Sequence, residues 1–394
     1  MQQRDRLLNG GYIALFLINL IVSVSFSMVS TTMSLYVTQL GNTASMAGTV
    51  VGALSVASLC MRPFSGLLSD RLERKRLLLA SLTLIGAAML GYGMTSSVGV
   101  LLALRIIHGI GFAAATTVTL ALVAGVIPER QMTQGMGYFA IGQTIATAIA
   151  PTIGLWLGER FGLQTTFTLA AALIVVAIVL AGLLVRPVHR GKAAAGRPHW
   201  RDLIAVEALP FCMLSMAVAG ATGLENSFVT LYGRELNMGN VGWYFTLSAA
   251  ALFAARMFGG RLADRHMRVI MLGGLGMMTG AFALLSVAGS AAAAGVAALL
   301  LGLAEVMKAL GLGVVQPALQ SGSMRSVSRE RRGAASSTYY LGADVGQALA
   351  PMAGGAVMEH FGAQAMFGSY MLPLVLGMGL YMIFTRTKEK GVGC

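Results

Sequence analysis

The feature of this sequence that most constrains its fold is a series of long apolar stretches separated by short polar loops. A helix of about 20 mostly apolar residues is long enough to cross a lipid bilayer. Only 11% of the residues are charged and the mean hydropathy is +0.75, whereas a soluble domain carries about 25% charged residues. So few charges cannot cover the surface of a water-soluble chain of 394 residues. The sequence therefore predicts an all-α membrane protein that crosses the bilayer many times.

We predict twelve transmembrane helices from these apolar stretches. They cover residues 11–38, 45–69, 77–96, 99–126, 133–157, 164–186, 204–232, 241–263, 269–289, 292–318, 333–357 and 364–385. The first stretch is too long for the apolar part of a signal peptide, so we expect it to be retained. The polar residues 187–203 divide the chain near its middle. They predict an N-terminal bundle at 1–186, a cytoplasmic linker at 187–203 and a C-terminal bundle at 204–394.

The positions of the basic residues predict the orientation of the chain. Outside the spans, nearly all Lys and Arg residues fall in loops on the side of the two termini, and only Arg160 and Arg234 fall on the other side. Because Lys and Arg are enriched in cytoplasmic loops, both termini are predicted to be cytoplasmic, with the spans in a bacterial inner membrane. The net charge of +13 reflects these loops and no continuous basic face, which argues against nucleic acid as a partner.

Cofactor and metal motifs are not evident in the sequence. Cys60, Cys212 and Cys394 are too scattered to form a disulfide framework or a metal motif. No Gly-x-x-x-x-Gly-Lys-Ser/Thr run is present, so this chain is not expected to bind ATP.

An internal repeat relates the two predicted halves. The segment from Arg62 to Arg71 recurs, with changes, as the segment from Arg256 to Arg265. Three residues of the fifth span recur in the eleventh at an offset of 200, as Gly142, Pro151 and Gly154 are followed by Gly342, Pro351 and Gly354. Parallel repeats of this kind are a feature of secondary transporters.

The chain resembles the major facilitator superfamily over essentially its whole length. The loop from Gly66 to Arg76 is similar to the signature loop of the family, although Glu73 stands where the family usually has glycine. The segment from Leu104 to Gly111 is similar to its buried-arginine motif. The small residues around Pro151 are similar to the glycine-proline motif of exporters that work as antiporters, with alanine at two glycine positions. The resemblance implies two pseudo-symmetric six-helix bundles and transport by alternating access.

Two groups of repeated residues are candidates for roles in conformational change. Asp70, Arg71, Asp264 and Arg265 are candidates for a cytoplasmic gate, in which each carboxylate meets the N-terminal end of span eleven or five. In such a gate the two arginines pair across the boundary between the halves. Close packing and bending are assigned to Gly142, Pro151, Gly154, Gly342, Gly346, Pro351 and Gly354. The alternatives are a topology signal for the first group and ordinary small-residue packing for the second.

Six ionisable residues lie well inside the predicted spans, where each costs about 2.5–3.5 kcal/mol and by default marks a functional site. They are Arg105, His108, Glu225, Glu305, Lys308 and Asp344. The carboxylates of Glu305, Asp344 and Glu225 are candidates for proton coupling, with Glu305 first because Lys308 lies one turn away. The substrate-cavity candidates are Arg105, His108, Lys308, Asn226, Tyr340 and Gln347. The resemblance places that cavity between spans one, four, seven and ten. A static buried ion pair, such as Glu305 with Arg105, is the alternative.

The sequence favours a proton-coupled efflux antiporter for small organic molecules, with no enzymatic activity. Its expected partners are the substrate, protons and lipid, its energy source is the proton gradient without a cofactor, and its working unit is a monomer. Three alternatives remain open. They are a proton symporter that imports a sugar, organic acid or amino-acid-like solute, an exporter of a zwitterionic metabolite such as an opine-type metallophore, and a non-transporting membrane sensor or scaffold.

Overall fold

The structure, a computed structural model, describes residues 8–42, 44–186, 204–236, 242–291 and 293–391. Within these ranges the regular secondary structure is helical, with no strand. The long helices are α1 Gly10–Gln39, α2 Ala44–Arg71, α3 Arg74–Met94, α4 Val98–Val126, α5 Met132–Phe161, α6 Leu163–Leu184, α7 Leu209–Glu235, α8 Gly242–Arg265, α9 Met267–Ala288, α10 Ala294–Arg325, α11 Arg332–Ser369 and α12 Met371–Gly391. The predicted all-α class is confirmed.

Not every helix meets the length and composition expected of a membrane span. Among the described residues, ten segments are long and apolar enough to cross a bilayer. Helix α8 is not one of them, and α11 and α12 together form the single apolar segment Arg329–Phe384. The chain is thus a multi-pass membrane protein, and the count of twelve spans stays a prediction. The predicted linker 187–203 lies outside the described residues.

The contacts of the chain define two compact units. The first unit contains α1 to α4, α6, most of α5, and the first turns of α11 within Ser326–Thr338. The second unit contains α7 to α10, α12, the rest of α11, and the first turns of α5 within Arg130–Tyr138. Each unit therefore includes the N-terminal turns of a helix whose remainder belongs to the other unit.

The internal repeat is visible in the backbone. A short 3₁₀ turn precedes α5 at Glu129–Gln131 and precedes α11 at Arg329–Arg331, which is the same offset of 200. Gly162 joins α5 to α6 with φ of 88°, and Gly362 bends α11 with φ of 82°. Positive φ values favour glycine because it has no Cβ. The predicted loop between the last two spans is therefore a bend at Gly362, after which helical structure continues to Ser369.

The glycines of the predicted hinge set pack more closely against a neighbouring helix in α11 than in α5. A Cβ atom on Gly142 of α5 would make ordinary contacts with α1, 3.4 Å from Phe16 Cε2. A Cβ atom on Gly342 or Gly346 of α11 would overlap the backbone of α7, at Cys212 and Met216 respectively. Gly154 lies between these cases, with the Met28 backbone 3.3 Å from a Cβ, while Gly354 packs on Leu224.

The two prolines of the predicted hinge set, Pro151 and Pro351, lie inside α5 and α11. Proline lacks a backbone N–H, so each removes one intrahelical hydrogen bond. Their role in bending stays a prediction.

Candidate functional site

The second unit contains a cluster of ionisable side chains, called here the acidic cluster, formed by Glu225, Tyr244, Glu305 and Lys308. Glu225 comes from α7, Tyr244 from α8, and Glu305 and Lys308 from one face of α10, where residues three apart are neighbours. The Lys308 ammonium donates to Glu225 Oε1 at 2.6 Å and lies 2.9 Å from Glu305 Oε2. The Tyr244 hydroxyl also donates to Glu225 Oε1. The two carboxyl side chains and the ammonium are at most 5% exposed.

The two carboxyl groups of the acidic cluster contact the same ammonium group. Lys308 Nζ lies within ion-pair distance of both Glu225 Oε1 and Glu305 Oε2, so the two carboxyl groups are close to each other. Two ionised carboxylates at such short range repel each other, and one proton on the pair removes that repulsion. With one shared proton, the two carboxyl groups and Lys308 have a net charge of zero, whereas without it the charge is −1. A low-dielectric interior disfavours the charged form, so the arrangement is suited to holding one proton.

The first unit contains a different group of side chains around the two α4 residues that correspond to Glu305 and Lys308. This group, called here the arginine cluster, consists of Arg105, His108, Tyr92, Phe26 and Phe112. Arg105 and His108 lie on one face of α4 and are 1% and 0% exposed. The Arg105 guanidinium lies over the Tyr92 ring, 5.3 Å from its centroid. The Tyr92 hydroxyl is 3.1 Å from His108 Nδ1. Phe26 stacks on Phe112 with centroids 4.6 Å apart, and both rings lie near the imidazole.

The guanidinium of the arginine cluster is incompletely hydrogen-bonded. Arg105 Nε and Nη2 and His108 Nε2 are buried and have no hydrogen-bond partner within the described part of the chain. Buried polar groups are normally paired, since an unpaired one costs about 1–3 kcal/mol or more. Arg105 is therefore a buried cation whose contacts in this unit are aromatic.

The remaining substrate-cavity and proton candidates lie outside both clusters. Asn226 is exposed on α7, and Tyr340 is half-buried on α11 with its ring 5.2 Å from that of Tyr339. Gln347 is exposed on α11 where that helix approaches Gly223 of α7. Asp344 is half-buried on α11 and is not among the residues that form the acidic cluster. Of the three predicted proton candidates, the structure thus brings together Glu225 and Glu305.

The predicted gate carboxylates cap the helices that begin in their own units. Asp70 accepts hydrogen bonds from the backbone N–H groups of Gly333, at 2.8 Å, and Ala334, at 2.7 Å, in the first turn of α11. Asp264 accepts from Thr133 at 3.0 Å and Gln134 at 2.9 Å, in the first turn of α5. The expected contact between each carboxylate and a helix N-terminus is therefore present, and it is favourable because that end of a helix carries partial positive charge.

Each of these two capping carboxylates also has a basic neighbour that the sequence analysis did not single out. Arg74 lies 3.4 Å from Asp70 in the first unit, and Arg325 lies 2.7 Å from Asp264 in the second. Arg71 is half-buried and Arg265 exposed, and their pairing across the halves stays a prediction. Glu73 adopts φ of −64°, a value open to any residue, so its replacement of the family glycine causes no strain at that position.

Sequence reasoning missed the aromatic members of both clusters. Tyr92 lies on α3 and Tyr244 on α8, and they are 0% and 1% exposed. The available signal was the amphipathic character of tyrosine, whose hydroxyl needs a partner when it is buried. Among the described residues, no group of three or more His, Cys, Asp or Glu side chains could hold a metal ion.

Comparison with known proteins identifies relatives over almost the whole chain. The Major Facilitator Superfamily model matches residues 15–307 and 242–393. The multidrug resistance protein MdtG of Escherichia coli K12 is 27% identical over 367 residues, which cover 88% of this chain and 87% of that protein. MdtG of Enterobacter lignolyticus is also 27% identical, over 88% of this chain and 85% of its own length.

Solved transporter structures have the same fold. The human organic anion transporter MFSD10 superposes with a TM-score of 0.81 at 17% identity, over 94% of this chain and 98% of its own. A bacterial homologue of the iron transporter ferroportin, in its outward-facing state, superposes with a TM-score of 0.79 at 14% identity, over 97% and 100%. At these identities the likeness concerns the fold alone.

Proposed function

The chain belongs to the major facilitator superfamily, and on that premise we propose that it is a proton-coupled exporter of small organic molecules. The observation that carries this proposal is the pairing of two buried carboxyl groups, those of Glu225 and Glu305, with the single ammonium of Lys308. This cluster can exist in a neutral form with one proton and a charged form without it. A conformational change that altered the contacts of Lys308 would favour one form over the other, which is the requirement for coupling.

The cytoplasmic caps support an alternating-access mechanism in the proposal. Asp70 and Asp264 each bind the first turn of a helix whose remainder lies in the other compact unit. Movement of one unit relative to the other would place strain on these hydrogen bonds. We assign these hydrogen bonds the role of a cytoplasmic gate. Helices α7 and α11 pack closely at Gly342 and Gly346, and we assign this contact a role in the movement of the helices.

The proposed location is a bacterial inner membrane with both termini in the cytoplasm, and the proposed working unit is the monomer. Support for the orientation comes from the basic residues that fall in loops on the side of the termini. Export as the direction is supported by the relationship to proteins named for multidrug resistance. The proton gradient is the proposed energy source.

Everted membrane vesicles provide the test of direction and coupling. Respiration makes their interior acidic, so an exporter accumulates its substrate and partly discharges the pH gradient, which acridine orange reports. Candidate compounds come from a growth screen that compares a deletion strain with a strain expressing the chain, and they include lipophilic drugs and organic carboxylates. We expect at least one compound to discharge the gradient only when the chain is present.

Carboxylate variants connect that signal to the acidic cluster. Glu225→Gln or Glu305→Gln should abolish gradient discharge by at least one active compound while the protein reaches the membrane at the normal level. Asp344→Asn is the comparison variant, since Asp344 lies outside the cluster. Normal discharge with both glutamine variants would remove the proposed coupling site, and discharge in right-side-out vesicles alone would favour an importer.

A further inference from the structure

The unpaired atoms of Arg105 have a specific geometry. Nε and Nη2 are the two orphaned nitrogens, and they lie on the same edge of the planar guanidinium. That edge presents two parallel N–H groups, the fork to which a carboxylate binds in a bidentate manner. Within the described residues, no carboxylate of the chain itself binds to this edge. The charge is permanent, because arginine does not lose its proton in proteins.

His108 adds a third donor on the same face of α4. The Tyr92 hydroxyl lies 3.1 Å from His108 Nδ1 and 3.4 Å from the Leu104 carbonyl oxygen, so its shorter hydrogen bond is to the histidine. When Tyr92 donates to Nδ1, the proton of the neutral imidazole is on Nε2. His108 Nε2 is buried and has no partner in the described part of the chain, so it is available to donate to a ligand.

The surroundings of these donors are apolar and partly accessible. Phe26 and Phe112 stack with their planes 17° apart, and both keep part of their surface exposed while His108 is fully buried. Stacked aromatic rings offer a flat apolar surface next to the His108 imidazole. Water alone would leave the cation without a counter-charge, and an inorganic anion would not use the aromatic surface.

We propose that the arginine cluster binds an organic carboxylate with a flat apolar body, and that such compounds are a substrate class of this transporter. The Nε and Nη2 groups of Arg105 hold the two carboxylate oxygens, His108 Nε2 donates to one of them, and Phe26 and Phe112 contact the body. Tyr92 holds His108 in the donating form and supports the guanidinium from its ring face. This assignment rests on the proposed function, because it takes the ligand to be the transported molecule.

Binding to the purified full-length chain in detergent tests the proposal without a proton gradient. The probes are benzoate, 2-naphthoate and indole-3-acetate, each paired with its carboxamide, and binding is measured as an increase in unfolding temperature. We expect at least one carboxylate to stabilise the wild type while its amide does not. Because a hydrogen-bonded charge contributes about 1.5–3 kcal/mol, Arg105→Gln should weaken that binding about tenfold or more.

Matched variants separate binding from folding. Arg105→Lys keeps the charge but lacks the fork, and His108→Gln removes the imidazole donor, so both should weaken carboxylate binding less than Arg105→Gln does. Arg62→Gln is the control, because Arg62 is an equally buried arginine of the same unit that donates to Thr116 Oγ1 at 2.6 Å. It should leave carboxylate binding unchanged relative to its own baseline stability.

Three results would overturn the proposal. They are a panel in which no carboxylate stabilises the wild type more than its amide, an Arg105→Gln protein that keeps normal binding, and equal stabilisation by chloride or phosphate at the same concentration. Each leaves the vesicle test of proton coupling unaffected. Conversely, intact carboxylate binding with no coupled transport would contradict the proposed function and not the binding site.

Discussion

Residues 105 and 108 of α4 correspond in the repeat to residues 305 and 308 of α10, but the two units surround their buried cation with different side chains. In α4, Arg105 lies over an aromatic ring, and one edge of its guanidinium has no hydrogen-bond partner among the residues that the structure describes. In α10, Lys308 is held between the carboxyl groups of Glu225 and Glu305. The offset of 200 relates Arg105 to Glu305 and His108 to Lys308. On α10 the cation of this face is therefore paired with carboxyl groups of the chain itself. On α4 the cation of the corresponding face has no such partner among the described residues, and in our proposal it binds an external anion.

This difference indicates that the two repeats have different roles, proton binding in one and anion binding in the other. A self-compensated cluster can bind or release a proton without a ligand, because its charges already have partners. An uncompensated cation gains its counter-charge only when an anion binds. The capped helix ends do not differ in this way, since Asp70 and Asp264 each accept two backbone hydrogen bonds from a helix N-terminus.

The largest effect is expected from removal of the two cations. Lys308→Gln leaves two buried carboxyl groups without their cation, and breaking a buried pair costs about 3–5 kcal/mol of folding free energy. Arg105→Gln loses a cation–π contact of about 0.5–2 kcal/mol but no ion pair seen in this unit. Thermal unfolding in detergent measures both. Equal losses of stability would show that the two cations are paired to the same extent.

A smaller effect is expected from the two buried tyrosines. Tyr244→Phe removes a donor to a carboxyl group, which is worth about 1.5–3 kcal/mol, whereas Tyr92→Phe removes a neutral hydrogen bond worth about 0.5–1.5 kcal/mol. Both variants keep the aromatic ring, so packing is the same in each comparison. Unfolding temperatures that fall more for Tyr92→Phe than for Tyr244→Phe would reverse the assignment of charge to the two clusters.

The glycines of the repeated helices extend the comparison from charge to packing. Gly342→Ala places a methyl group against the α7 backbone at Cys212 and should cost about 1–3 kcal/mol through overpacking. Its counterpart in the first unit is Gly142→Ala, which should change stability by less than about 1 kcal/mol because Phe16 lies at an ordinary contact distance. The measurement is again thermal unfolding of the purified protein. A greater loss at Gly142 would mean that α5, and not α11, packs more tightly.

The smallest difference is expected at the helix caps formed by Asp70 and Asp264. Asp70→Asn and Asp264→Asn each weaken a carboxylate–helix interaction worth about 1 kcal/mol, and the two losses should agree within about 0.5 kcal/mol. Chemical unfolding curves of the two variants provide the comparison. If one variant lost several times more unfolding free energy than the other, the two capping motifs would differ in strength, as the two clusters differ in composition.

The sequence was sufficient for features that depend on one helix at a time. Helix positions followed from apolar length, and the pairing of Glu305 with Lys308 followed from their spacing of three. The capping by Asp70 and Asp264 joins two helices, but it could be predicted because it depends on helix ends and on the helix dipole. Contacts along the sides of helices could not be predicted, because they depend on how each helix is rotated. The position of Tyr244 beside Glu225 and of Tyr92 beside His108 are examples.

The end of α10 illustrates a second limit. The predicted span stops at residue 318, whereas the helix continues to Arg325. Polar residues mark the end of an apolar run in the sequence, but Gln320, Ser321 and Ser323 are buried here. Ser321, for example, exchanges a hydrogen bond with Thr133 in the first turn of α5 at 2.7 Å. Hydropathy registers side-chain polarity and not the partners that satisfy it.

The central claim is that Glu225 and Glu305 share one proton, and infrared difference spectroscopy of the purified protein tests it most directly. Spectra recorded as the pH is raised should show the carbonyl band of a buried protonated carboxyl group disappear in the wild type. The band should be absent or shifted in Glu225→Gln and Glu305→Gln and unchanged in Asp344→Asn. A band that remains unchanged in both glutamine variants, or that is lost in Asp344→Asn alone, would contradict the claim.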